Sequence, residues 1–518
     1  MIGPIFHRFF AHRFLRGAHF ICITFPVGYN VSEIEYGHRK VKKGLHILIL
    51  AAGQGKRMKS AVPKVLHKAN GKPVLQYILD AAAGLKPVSI TVVIGHQAES
   101  VTERFKNYKS GSSDVEIHFV EQKQQNGTGD AVASAASLLA GAEGDLLILC
   151  GDTPLITGEL LEEFYGHYKK ENLDLSVLTM ELADPRAYGR IVRGSENEIL
   201  KIVEQKDANA EELKIKEVNS GIYLSDLRTL FSAIEKLGKD NAQGEYYLPD
   251  LIEIYRREGR NAGAFKWHTA KDLLGINNRM ELAEADAFLR MRKLRSLMES
   301  GVTIYDPAAT YVEDDVRIGT DTIIYPGVVL RGKTEIGGNC EIRHYSILEN
   351  VILGSGCVIY PFSHLENSVI GEAASIGPFS RLRPGNKLGR KVKVGNFVEM
   401  KNSTLGDNSK SSHLTYLGDA EIGENVNVGA GTITCNYDGW KKYKTVIKDG
   451  AFIGSNTEIV APVVIGAGAV IGAGTTVTDD VPDGALAVSR VEQKNIPGWV
   501  AKKRAKMEAQ NNKEKDKD

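Results

Sequence analysis

Three stretches of the 518-residue sequence combine side chains that could do chemistry. Residues 50–58 read LAAGQGKRM and follow the apolar run Leu45–Leu50. Gly53 and Gly55 would let the backbone approach an anion closely, Arg57 can fork onto phosphate oxygens, and Lys64, in VPKVLH, adds a point charge shortly afterwards. A glycine-rich loop straight after a buried strand is where an open α/β sheet holds phosphate, although the spacing fits neither GxGxxG nor GxxxxGK(S/T). Asp152 ends the apolar run LLILCGD, where such a sheet places its ligand residues; an aspartate there serves equally as a helix cap or turn residue. His413 sits in SSHLTYLG. A histidine can take a proton near pH 7, but an isolated one is more often structural.

The elements that must position these residues fall into two regimes. From 45 to about 275, apolar runs at 46–50, 89–95, 116–122, 145–152, 174–180 and 218–226 read as strands, with helices at 73–84, 128–140, 158–170 and 245–258. Near-continuous apolar strands separated by helices predict a mainly parallel sheet covered on both faces, an α/β nucleotide-binding type of domain. Residues 277–300 predict one long helix ended by Gly301, with Met280, Ala283, Ala287, Met291, Leu294 and Met298 as its apolar stripe, a stiff link between domains. After 302 aliphatics recur in hexads: Ile318 to Leu348, Ile370 to Met400, Ile453 to Val477. Neither a helix nor a flat strand has that period; a three-sided solenoid does, with each aliphatic pointing into the stack. Function is expected where the hexads are interrupted, at HLTYLGD (413–419) and CNYDGWKKYK (435–444), and self-association is expected of the solenoid's open faces. The divisions are therefore 1–44 as an extension, 45–276, the 277–301 helix, 302–500, and a charged tail over 501–518.

Composition narrows the classes. A net charge of +1 gives no global reason for nucleic acid or a membrane surface, and the absence of a run of about 18 apolar residues predicts no transmembrane span. Cys22, Cys150, Cys340, Cys357 and Cys435 show no CxxC or metal spacing, which fits reduced thiols in a cytoplasmic setting. Residues 1–44 are basic and aromatic without period; a secretory signal and an amphipathic anchor are the alternatives to a disordered extension or a mis-assigned start.

The segment LAAGQGKRMKSAVPKVLHKANGKPV resembles the signature of sugar-1-phosphate nucleotidyltransferases. The order of further motifs over 45–500 is similar to the bacterial bifunctional branch that joins an N-acetylglucosamine-1-phosphate uridylyltransferase to a glucosamine-1-phosphate acetyltransferase. In the first half these are EQKQQNGTGDAV, LCGDTPLI, AYGRIVR, IVEQKDA, EVNSGIY and GINNR; in the second they are SRLRPG, VGNFVEMKNS, SHLTYLGDAEIG, VGAGTITCNYDG, FIGSNTEIVAPV and ALAVSR. The resemblance implies a Rossmann-like nucleotidyltransferase domain, a linker helix and a left-handed parallel β-helix of hexapeptide repeats, against the usual right-handed crossover. It also implies a homotrimer whose neighbouring solenoids complete one site.

The residues implied for UTP and the sugar nucleotide are Leu50, Ala51, Ala52, Gly53, Arg57, Lys64, Gln122, Gly127, Thr128, Gly151, Asp152, Gly189, Glu204, Asn219 and Asn277. Among these, Gln122, Gly127 and Thr128 would hold uracil, Gly189, Glu204 and Asn219 the sugar, and Asp152 with Asn277 a Mg²⁺ ion. For acetyl transfer, His413 is implied as the base and Glu399 as its orienting carboxylate. Arg383, Lys401, Tyr416 and Asn427 would hold glucosamine-1-phosphate; Ala430, Asn436, Tyr437, Ser455, Ala473 and Arg490 would line the acetyl-CoA site. Two alternatives are a nucleotidyltransferase whose solenoid only oligomerises, and a non-enzymatic sugar-nucleotide sensor. Retention of His413, Lys401 and the NYDG insertion speaks against the first; retention of Arg57, Lys64 and Asp152 speaks against the second.

Overall fold

The computed structural model describes residues 43–109 and 115–515. The expectations for the N-terminal extension therefore lie, but for its last two residues, outside the described residues. In the first domain seven strands lie in the order Ala262–Trp267, Leu175–Glu181, Glu217–Asp226, Glu143–Cys150, Lys43–Leu50, Ser89–Ile94 and Ile117–Glu121. All run parallel except Glu217–Asp226, which is antiparallel to both neighbours. A two-stranded flap, Arg190–Arg193 and Ile199–Val203, is joined to that antiparallel strand. Side chains alternate between two apolar layers: Ile47, Ile49, Leu147 and Leu149 face one, Leu48, Val93, Leu146 and Ile148 the other. That two-sided burial is why these strands read as unbroken apolar runs.

All six expected strands are present. The flap and Ala262–Trp267 were not foreseen, because ILKIV and AGAFKW are only partly buried and look like edge or loop sequence. The helices expected over 128–140 and 245–258 are shorter, Thr128–Ala133 and Leu251–Arg257, and Ala98–Phe105 and Leu227–Ile234 are additional.

The long helix runs Arg279–Glu299. The Asn278 side chain caps it, accepting from Met280 N and Glu281 N at 2.9 and 3.0 Å, and Glu281 accepts from Asn277 N at 2.6 Å. Gly301, at φ 93°, ends it as expected. Of the apolar stripe the spacing suggested, only Leu294 is buried; Met280, Met291 and Met298 are exposed, and the other buried positions are Ala285, Leu289 and Leu297. The reason is that the helix serves two cores in succession. Ala285 and Leu289 pack into the sheet domain, Leu294 and Leu297 into the solenoid. Two short stripes at different angles do not sum to one period.

From Thr303 onward, short strands stack into three parallel sheets of eleven, ten and nine strands among the described residues. Each regular coil is built of three hexads, some coils falling a residue short. Ile324 thus pairs with Ile342, Ile342 with Ile359, Ile359 with Ile376 and Ile376 with Val394. The hexad aliphatics fill the axis: of those in the three blocks, all but the half-buried Ile318 are buried. This three-faced parallel stack is consistent with the left-handed β-helix of hexapeptide repeats. The insertion expected at 435–444 lengthens one coil, and Val428 consequently pairs with Ile453 rather than with a position three hexads on. The charged tail is not without structure: Trp499–Lys515 is a helix. No helix among the described residues is long and apolar enough to cross a membrane.

Candidate active sites

The first constellation collects where strands of the open sheet end. Gly55, at φ 59°, turns the glycine loop back so tightly that a Cβ there would lie 2.9 Å from the Lys64 Cβ. The loop thus presents Arg57 and Lys64 together. Arg57 Nη2 donates to Asn277 Oδ1 at 2.9 Å. The Lys64 ammonium pairs with Asp152 Oδ2 and lies 3.4 Å from the same Asn277 oxygen. Asp152 leaves the Glu143–Cys150 strand beside Leu50, whose carbonyl accepts from Gly151 N at 2.9 Å. One carboxylate and one carboxamide oxygen therefore converge on a single cation position. Beside Arg57 and Asn277 a cleft of about 830 Å³ opens between Tyr188 and the long helix.

Two satellite groups flank this centre. Gln122 is buried, donating to Gly127 O at 3.2 Å and Asp130 Oδ2 at 2.8 Å, and Thr128 Oγ1 accepts from Leu248 N at 3.1 Å. Gln125 donates to Ala52 O at 2.8 Å and ties the 122–128 loop to the glycine loop. On the other side, Asn219 N donates to Gly189 O at 2.9 Å, and Glu204 lies so close to Gly189 that a Cβ there would be 3.1 Å from its Oε1. The Asn219 amide donates to the Tyr223 hydroxyl at 2.8 Å. Burial, with Asp207 and Asp250 nearby, pushes the Glu204 carboxyl up to about 7. Burial likewise pushes the Cys150 thiol, next to Asp152, up to about 12, which leaves it inert at neutral pH.

The second constellation lies on the surface of the β-helix. Asn396 and His413 occupy equivalent places on successive coils, and His413 Nδ1 faces Asn396 Oδ1 at 2.8 Å. With Nδ1 carrying the proton, Nε2 keeps its lone pair for a substrate. Glu399, expected to orient His413, pairs instead with Arg383 at 3.1 Å. Sequence reading missed Asn396; the signal was the coil length, since Asn396 stands one coil before His413. Lys442 was missed too. The insertion folds back so that Tyr437 bridges Lys442, and the Lys442 ammonium meets that of Lys401. Lys442 first and Arg383 second lower the pKa of Lys401, with Asp419 opposing. Asn436 is buried and donates to Asp419 Oδ2 at 2.6 Å. Tyr416 lies next to Glu399 across the coil interface, and Asn427 pairs with Lys410.

The same corner of the coil continues past His413. Gly431 N donates to Leu414 O, Asn456 N to Ala430 O and Gly474 N to Ser455 O at 3.1, 2.7 and 2.8 Å. Ala430, Ser455 and Ala473 thus stack as small residues along one edge, and Arg490 Nη2 would lie 2.8 Å from a Cβ on Gly472. In the other direction the corner is bulky: Tyr345, Phe362, Phe379 and Phe397 stack at 5.3, 5.1 and 5.3 Å between centroids. All four are exposed and have φ between 54° and 59°.

A mixed nucleotide-binding sheet with a cationic loop at its carboxyl edge, joined to a hexapeptide β-helix, defines a two-domain transferase. The nucleotidyl transferase family model matches residues 46–275 and the bacterial transferase hexapeptide model residues 444–479. The chain is 48% identical over 457 residues to the bifunctional protein GlmU of Trichlorobacter lovleyi, covering 88% of this chain and 98% of that one. It is 46% identical over 459 residues to the protein of the same name from Clostridioides difficile (89% and 98%) and 46% over 461 residues to that of Geobacillus thermodenitrificans (89% and 98%). The chain belongs to this family of bifunctional proteins, a nucleotidyltransferase domain followed by a hexapeptide acyltransferase domain.

Proposed function

We propose that the chain makes UDP-N-acetylglucosamine in two steps at two separate sites: acetyl transfer from acetyl-CoA to glucosamine-1-phosphate, then uridylyl transfer from UTP to the N-acetylated product. The observation that carries this is the pair of unlike constellations: Lys64 between Asp152 and Asn277 in the sheet crevice, and on the β-helix His413 on Asn396 together with a cluster of Lys401, Lys442 and Arg383.

In acetyl transfer the amine must lose a proton as it attacks the thioester carbon. His413 Nε2 takes that proton, Asn396 holds the tautomer, and the thiolate of coenzyme A leaves. Arg383, Lys401 and Lys442 form an anion pocket suited to the sugar phosphate, with Tyr416 and Asn427 on the sugar. The small-residue edge of Ala430, Ser455 and Ala473, with Asn436, Tyr437 and Arg490, offers a shallow track for acetyl-CoA. In uridylyl transfer an oxygen of the sugar phosphate attacks the α-phosphate of UTP and pyrophosphate leaves. Arg57 and Lys64 neutralise the meeting anions, Gln122, Gly127 and Thr128 hold the base, and Gly189, Glu204 and Asn219 hold the acetylated sugar. Asp152 and Asn277 fit a Mg²⁺ ion, being hard oxygen donors that already converge on one ammonium. A bound Mg²⁺ would supply further charge neutralisation at the phosphates.

The chain works as a cytoplasmic homotrimer on this account. Four exposed rings held at positive φ, each costing on the order of 1 kcal/mol of backbone strain, form an apolar edge suited to another copy. Incubating the purified chain with glucosamine-1-phosphate, acetyl-CoA and UTP should yield UDP-N-acetylglucosamine with one coenzyme A and one pyrophosphate each. Absence of either by-product would refute the proposal.

A further inference from the structure

The segment between the glycine loop and the first sheet helix is held from outside its own domain. Residues Lys68–Ala69 and Lys72–Pro73 form a hairpin whose turn is Asn70-Gly71, both at positive φ. The hairpin begins directly after His67 and shortly after Lys64, so its placement sets where Lys64 emerges. Asn70 N donates to Asp286 Oδ1 of the long helix at 2.7 Å, and Asn70 O accepts from Asp314 N of the first β-helix coil at 3.3 Å. A Cβ on Gly71 would lie 2.7 Å from Glu313 Cδ, so the turn seats directly on that carboxylate. Lys72 Nζ is 2.6 Å from Asp314 Oδ2 and 3.0 Å from Asp315 Oδ1, with its side chain 15% exposed. Burial alone would lower the Lys72 pKa, but Asp314 and Asp315 outweigh it and the ammonium is held charged. Above the hairpin, Arg279 donates to Met58 O and faces His67 Nδ1, both at 3.3 Å. Lys293 Nζ donates to Asp314 O at 2.8 Å and locks helix to coil.

We infer that the first coil of the β-helix is a working part of the nucleotidyl-transfer site, with Glu313, Asp314 and Asp315 as positioning residues that hold the hairpin and, through it, Lys64. The inference rests on the proposed uridylyl transfer. The three carboxylates meet the hairpin rather than Asp152 or Asn277; they act by fixing the segment that carries a phosphate-binding cation. A small displacement of such a group costs rate more than affinity, because it is aimed at charge developing in the transition state.

The test uses the full chain. In an Asp314→Asn/Asp315→Asn double variant, kcat for pyrophosphate release should fall about tenfold, with KM for the sugar phosphate within about twofold of the parent. Acetyl transfer should be unchanged and serves as the internal measure of folding. Lys72→Arg should keep at least half the parent kcat, and Lys72→Asp combined with Asp314→Lys should recover part of what Lys72→Asp loses. Unchanged pyrophosphate release in the double variant would overturn the inference, as would an equal fall in both activities or a loss confined to KM. Were the unaltered chain itself inactive with UTP, the functional proposal would fail rather than this one.

Discussion

In the sheet crevice the Lys64 ammonium pairs with the Asp152 carboxylate and also lies near Asn277, and Arg57 reaches the same neutral amide. On the β-helix Lys401 faces Lys442 and Arg383, His413 is exposed, and Asp419 only partly opposes the cluster's effect on Lys401. The difference follows from the two scaffolds. An open sheet makes a cleft where its strands end, so a site can be assembled inside one chain, with its cation held against a carboxylate. A solenoid offers a flat face whose interior is already filled by Ile, Leu and Val; its site must sit on the outside. There two ammonium groups, those of Lys401 and Lys442, come together at the surface. The first site should therefore fail when a single residue in its network is removed. The second should respond to salt and to assembly.

The sharpest way to break this comparison is at the base. His413→Ala should lower acetyl transfer by about a thousandfold or more, the range of positioned general bases, and leave UTP-dependent pyrophosphate release nearly unchanged. Equal losses in coupled assays of coenzyme A and pyrophosphate would show that the sites are not independent. Asp152→Asn is the mirror experiment: pyrophosphate release should fall by about a hundredfold or more through lost electrostatic organisation, with acetyl transfer unchanged. Lys442→Ala sharpens the contrast in charge. It should raise KM for glucosamine-1-phosphate about tenfold, the worth of one hydrogen bond to a charged group. The effect should shrink as salt rises, while KM for UTP stays fixed.

A smaller effect concerns stability. Glu204 titrates near 7 in the folded chain and near 4.5 when unfolded. At pH values below both, the two states are protonated alike and the group contributes nothing. Between the two values the folded state keeps a proton that the unfolded state has lost, so folding stability falls as pH rises. Above the folded value the cost is of the order of 3 kcal/mol. Glu204→Gln should flatten this slope in urea melts carried from mildly acidic to mildly alkaline pH and raise stability at the alkaline end. A parent chain whose stability rises over that interval, with no change in slope on substitution, would contradict the buried carboxyl.

Much of this architecture was legible because its signals are periodic. Six strands of the open sheet and the hexad aliphatics announce themselves by long apolar runs and by a repeat sustained over three blocks. The long helix was legible in extent but not in orientation, since its buried face changes partner between Leu289 and Leu294. In the sheet crevice Arg57, Lys64, Asp152 and Asn277, each carried by a motif, lie within hydrogen-bond reach of one another. Glu399 was not brought to His413. A hexad rule locates the side of the triangle on which a residue sits, but neighbours across coils depend on whether a coil takes three full hexads or falls a residue short. Asn396 and Lys442 come into place only through that count and through the fold-back of the 435–444 insertion. The hairpin's dependence on Asp314 joins the start of one domain to the start of the other, and nothing local in either segment records it.

The central claim is that one chain holds two independent pockets on unlike scaffolds. Calorimetric titration of the full chain with UDP-N-acetylglucosamine and with coenzyme A, in either order, measures this directly. The account predicts two saturable events whose heats and affinities do not depend on which ligand is added first. A single event, or one ligand displacing the other, would contradict it.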